Sequence, residues 1–75
     1  MLARNQIMQR VGELLYSEQW ASALARDLEV HPRSLRRWCA GTAPIPDGVM
    51  DEMKTMLALR CHDIQSFLTN EYASY

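Results

Sequence analysis

The chain predicts an all-α fold, a compact bundle of four or five helices. Two observations carry that expectation. Apolar residues recur at spacings of three and four from Ile7 to Tyr72, the period of a helix face. Pro32, Gly41, Pro44 and Pro46 fall between those apolar runs, where residues that break helices act as punctuation.

Ile7, Val11, Leu14 and Leu15 form the first stripe, which places a helix at about residues 3–16. Ser17 can cap a second helix, with Glu18 well placed near its positive end. Trp20, Leu24 and Leu28 are four apart, with Ala21 and Ala25 beside them. That second helix spans about residues 18–28. Pro32 then suits the first turn of a third helix, and it disfavours helix for the residue before it. Leu35, Trp38 and Cys39 are its apolar positions, and Gly41 supplies its stop. Ala43-Pro44-Ile45-Pro46 must be extended. Pro46 suits the start of a fourth helix, with Asp47 in its first turn.

Val49, Met50, Met53, Met56, Leu57, Cys61, Ile64, Phe67, Leu68 and Tyr72 keep helical spacing to the end. One reading is a single helix of about 25 residues, roughly 37 Å long and longer than so small a domain is wide. The other breaks near Arg60–Asp63, with Asp63 capping a short fifth helix. The break is the expectation for a free monomer, and the long helix for a dimer. The methionines suit either a core with irregular gaps or an adaptable interface.

Seventy-five residues make one domain, residues 1–75. A chain this short buries only about 60% of its unfolded surface, so it is marginal without added burial. Residues 47–75 are the expected dimerisation segment, with Ile64 and Phe67 at the centre of the contact. Two cysteines are too few for a disulfide scaffold, and both read as small buried hydrophobes. No apolar run reaches the roughly 20 residues of a membrane span. Met1-Leu2-Ala3-Arg4-Asn5-Gln6 turns polar too soon for a signal peptide. The expected compartment is the cytoplasm, and no membrane partner is expected.

The net charge of −1 conceals an asymmetry. Residues 1–41 hold six basic and four acidic side chains, a balance of +2; residues 42–75 hold two and five, a balance of −3. Arg33, Arg36 and Arg37 lie within five residues. A local positive spot on a nearly neutral body fits specific docking better than indiscriminate phosphate binding.

The third helix separates two kinds of side chain. With Leu35 at the origin and about 100° per residue, Trp38 falls near 300° and Cys39 near 40°. Arg33 and Arg37 fall near 160° and 200°, opposite the apolar side, with Arg36 near 100° and Ala40 near 140°. One face is thus buried while the other presents two arginines a turn apart. Major-groove readers need that arrangement, because arginine bonds guanine O6 and N7 bidentately. Ala40 leaves room for close approach or for a thymine methyl. Trp38 shares its face with Leu35 and reads as core rather than as a stacking platform.

Leu24-Ala25-Arg26-Asp27-Leu28-Glu29-Val30-His31-Pro32-Arg33-Ser34-Leu35-Arg36-Arg37-Trp38-Cys39-Ala40-Gly41 resembles the helix-turn-helix of the lambda-repressor/Cro-like DNA-binding superfamily. The resemblance covers about residues 18–48. Its matches are Ala25 where two helices cross, Leu28 and Val30 around the turn, Leu35 and Trp38 as anchors, and Gly41 as the stop. Pro44-Ile45-Pro46 is similar to short bacterial and phage-type members. The resemblance implies a bundle that reads operator double-stranded DNA, usually as a homodimer. It implies that Arg33, Arg36 and Arg37 face bases or nearby phosphates, and that His31 and Ser34 face the backbone. Three positions depart from the family. Glu29 stands where glycine is usual, so the turn strains a non-glycine residue or uses another geometry. Ala21 stands where a polar residue, often glutamine, touches DNA. His31 replaces the usual Ser or Thr cap.

No catalytic pattern stands out: there is no glycine-rich phosphate loop, no serine lies in a nucleophile motif, and the chain is small for a deep pocket. No enzyme activity is expected. Cys39, Cys61, His62 and His31 lack the paired short spacings of a structural zinc site, so neither metal nor cofactor is expected. Two functions follow from the residues. One is a sequence-specific DNA-binding transcriptional regulator of the repressor type. The other is a protein-interaction module on the same fold, such as an antitoxin, whose main partner is another protein; the acidic second half with its apolar stripe supports that reading.

Overall fold

In the computed structural model, which describes residues 1–74, the order is α1 (Arg4–Tyr16), α2 (Trp20–Leu28), α3 (Pro32–Ala40), α4 (Asp47–Asn70) and a 3-10 turn (Tyr72–Ser74). The fold is all-α, with four packed helices. Helix α1 starts where the Gln6 side chain turns back to accept a hydrogen bond from the Ala3 N–H at 2.8 Å, satisfying a donor that the helix leaves open. Its apolar stripe buries Met8, Val11 and Leu15.

The link to α2 differs from the sequence expectation. Ser17 does not cap the second helix. It closes the first, its N–H donating to the Glu13 carbonyl at 3.0 Å with φ at 64°. Gln19, at φ 54°, precedes α2, which begins at Trp20 without a side-chain cap. Packing explains the shift. The Trp20 indole lies directly on Gly12 of α1, where a Cβ would overlap the ring. Seating the indole there leaves three residues to reverse the chain, and two of them take left-handed φ values that L-residues disfavour.

The core gathers Met8, Val11 and Leu15 of α1, Leu24, Ala25 and Leu28 of α2, Leu35 of α3, Met53 of α4, and Ile45 from the extended segment. Proline on both sides fixes that segment extended, and Ile45 is thereby turned inward as a plug. Among the described residues no polar or charged side chain is buried. Trp38, expected inside, is half-buried at the edge of the core beside Arg4, Asn5 and Ile45. Met53 is buried and Met50 and Met56 half-buried against the same cluster, so this methionine stripe serves the core. Cys39 is half-buried, its Sγ 3.9 Å from Met8 Sδ. Cys61, also expected to be buried, is exposed.

Helices α1 and α4 run side by side in the same direction. At one end Arg4 pairs with Asp47 at 2.6 Å and donates to the Ile45 carbonyl at 2.8 Å. At the other, Arg60 donates to the Leu15 carbonyl at 3.3 Å. The break expected near Arg60–Asp63 is absent. Asp63 lies in mid-helix, and α4 runs unbroken for 24 residues. No Pro or Gly follows Gly48, which lies in its first turn, and propagating a helix is easier than nucleating a new one. Since α1 ends at Tyr16, the last ten residues of α4 project past it by about 15 Å. The molecule is accordingly elongated, 49 × 24 × 19 Å. Among the described residues, no helix is long and apolar enough to cross a membrane.

Candidate nucleic-acid interface

Helix α3 is held at both ends. His31 is extended (φ −67°, ψ 138°), and its Nδ1 accepts a hydrogen bond from the Arg33 N–H at 3.0 Å. Histidine thus does the capping that Ser or Thr more often does. Pro32 follows at the first helical position, where its missing N–H costs nothing. At the far end Gly41 is left-handed at φ 78°. The Thr42 N–H reaches the Arg37 carbonyl at 3.0 Å and the Gly41 N–H reaches that of Trp38 at 3.1 Å, which is a Schellman closure.

The turn before α3 repeats that closure without glycine. Glu29 sits at φ 58°, ψ 41°. Its N–H donates to Arg26 at 3.1 Å, while the Val30 N–H donates to Ala25 at 3.0 Å. Of the two geometries left open for Glu29, the strained left-handed one is adopted. Half-buried Val30 packs against the core, the apolar contact that accompanies this motif. Leu28 and Val30 therefore anchor the turn from both sides.

Between those ends, Leu35 is fully buried while Arg33, Arg36 and Arg37 are exposed. Arg33, Arg36 and Arg37 are exposed on the outer side of α3 and His31 is exposed at its N-cap, with Ser34 half-buried on the same helix. Ala40 is exposed as well. Ala21 is half-buried, and with Ser22, Pro32, Leu35 and Arg36 it lines a shallow cleft of about 100 Å³ between α2 and α3.

The remaining arginines set these three apart. Arg4 is held by Asp47, Arg10 lies 3.8 Å from Glu13, Arg26 meets Asp27 at 3.1 Å, and Arg60 meets the Leu15 carbonyl. Among the described residues Arg33, Arg36 and Arg37 have no acidic partner within ion-pair distance. The positive balance of the first half of the chain is therefore displayed on α3. Sequence order alone could not reveal this sorting, because Arg4–Asp47 and Arg60–Leu15 join residues more than forty positions apart.

One acid near α3 is also spoken for. Asp27 accepts a hydrogen bond from the Tyr16 hydroxyl at 2.6 Å and another from Arg26 at 3.1 Å. These bonds, Tyr16 first, hold the Asp27 carboxyl below its usual pKa. Burial, reinforced by the Asp27 contact, pushes the Tyr16 hydroxyl up to about 12. The pair ties the end of α1 to α2. Burial likewise pushes the Cys39 thiol up. Among the described residues no group of His, Cys, Asp or Glu is placed to hold a metal ion.

Fold and site together define an all-α protein that displays an unneutralised arginine face on a short, doubly capped helix. No family model, curated protein or solved structure matches the chain.

Proposed function

We propose that this chain is a sequence-specific DNA-binding regulator of the repressor type, in which α2 and α3 act as a helix-turn-helix and α3 enters the major groove. The observation that carries the reading is the sorting of arginines. Four are engaged within the fold, and the three that have neither an acidic partner nor a side-chain hydrogen bond among the described residues share one side of α3. Leaving cations unpaired on a rigid element suits an external anion, and a nine-residue helix fits a groove about 12 Å wide. Arg33 and Arg37 are the base-reading candidates. Arg36 and Ser34 serve the phosphates, and His31 does so while its other ring nitrogen caps the helix. The reading carries a cytoplasmic location with it.

The test is selection of bound sequences from a random duplex pool, followed by titration of the selected site at two salt concentrations. Arg33→Ala or Arg37→Ala should each weaken the selected site by about 1–3 kcal/mol and relax base preference. Arg36→Ala should weaken all duplexes alike and flatten the salt dependence by about one unit of slope. If nothing is enriched, or if the Arg33 and Arg37 variants bind like the parent, α3 is not a DNA-reading helix.

A further inference from the structure

The apolar stripe of α4 is covered along only half its length. Its first half, Met50, Met53 and Leu57, packs against the core and α1. At about 100° per residue Ile64, Phe67 and Leu68 fall on that same stripe, yet they are 54%, 56% and 46% exposed. Leu14, at the end of α1, and Tyr72, whose ring centroid is 6.2 Å from that of Phe67, widen the patch. Leu14, Leu15, Leu57, Cys61 and Ile64 line a groove of about 250 Å³ beside it, with Arg60 at its edge.

We infer that this face is covered by a second copy of the chain, with the two α4 ends antiparallel and Ile64 at the two-fold axis. The area agrees. Large side chains offer roughly 150–250 Å² each, so five at about half exposure present about 500 Å². A standard interface takes about 800 Å² from each partner, and about 65% of it is apolar in homodimers, again about 500 Å². The direction follows from α1. It lies on the α4 stripe as far as Arg60, so in a parallel pair both α1 helices would wedge the two α4 helices apart. In an antiparallel pair the two bodies sit at opposite ends, and the projecting segments meet freely.

Positions then pair about Ile64. The partner's Phe67 lies over Cys61, just past the point where α1 ends. Leu59 lies on the opposite side of α4 and takes no part.

This pairing does not depend on DNA binding and is tested without DNA. Sedimentation of the full chain should give twice the 8.7 kDa monomer. Ile64→Asp with Phe67→Asp should give a monomer with an unchanged circular dichroism spectrum, since both positions are exposed. In a Cys61→Ser background, Ile64→Cys should oxidise to a covalent dimer and Thr69→Cys, on another face, should not. A parent that stays monomeric at the highest soluble concentration would overturn the pairing and leave the face to a different partner chain. Crosslinking through Thr69→Cys but not Ile64→Cys would overturn it too.

Discussion

The Trp20 indole rests on the bare Cα of Gly12, so α1 and α2 meet closer than any side chain at position 12 would allow. That contact orients α2, and through α2 the helix that carries the arginines.

Gly12→Ala should therefore destabilise the protein although alanine is the better helix former. The added methyl would collide with a ring rather than with a flexible chain end, and overpacking of that kind costs about 1–3 kcal/mol. A thermal melt at or above that of the parent would show that the indole moves aside freely.

Glu29→Gly should have the opposite sign. Glu29 holds a left-handed conformation that costs an L-residue about 1–2 kcal/mol, part of which glycine returns as chain entropy in the unfolded state. A net gain of about 0.5–1 kcal/mol in urea unfolding is expected. A loss would mean that the Glu29 side chain makes a compensating contact.

His31 should behave as a helix cap. Asn and Ser can also accept from the Arg33 N–H, so His31→Asn should keep the stability of the parent. His31→Ala should lose about 1 kcal/mol. Equal unfolding midpoints for the Asn and Ala variants would remove the cap from the account.

Tyr16 and Asp27 set opposite limits with pH. The Tyr16 hydroxyl titrates near 12 in the fold against 10.0 for a free tyrosine. Its contribution is full below pH 10 and lost as pH rises toward 12, because the unfolded chain gives up that proton first. Asp27 has a lowered folded pKa. Its contribution is present above the ordinary value of 3.8 and lost as pH falls through the folded value. Tyr16→Phe should abolish the alkaline loss in excess of the other tyrosines and weaken the acid one. Unfolding curves across both limbs that match the parent's would dissolve the coupling.

Much of the architecture was legible because local chemistry and tertiary packing agree. Pro32 and Gly41 bound α3 where their backbone preferences require, and Leu35 opposite Arg33 and Arg37 followed from helical period alone. The features that stayed hidden depend on partners distant in sequence. Nothing local distinguishes Ser17, Glu18 and Gln19 as the cap of α2; that boundary is set by where Trp20 finds Gly12. Ile45, between two prolines, reads as loop until the body it plugs is assembled. The continuity of α4 through Asp63 reflects the absence of a breaker, whereas a capping residue was read as a start. At the site, the positions of Arg33, Arg36 and Arg37 were readable, but their lack of acidic partners became visible only once Asp47 and Asp27 were seen to be taken by others.

In the proposed dimer on DNA, the projection of α4 past α1 would also act as a ruler. Met53 marks the body on α4, and Ile64 marks the proposed axis, about 16 Å further along the helix. Two bodies related through Ile64 then stand about 33 Å apart, close to the roughly 34 Å between successive major-groove faces of a duplex. Each residue between these positions sets about 3 Å of separation, nearly the 3.4 Å rise of one base pair. Deleting one residue there would also turn each body by about 100° around α4. If two copies pair this way on DNA, the segment from Lys54 to Asp63 has a length requirement separate from its composition: a variant could keep every core contact and still carry its arginines out of phase with a second half-site.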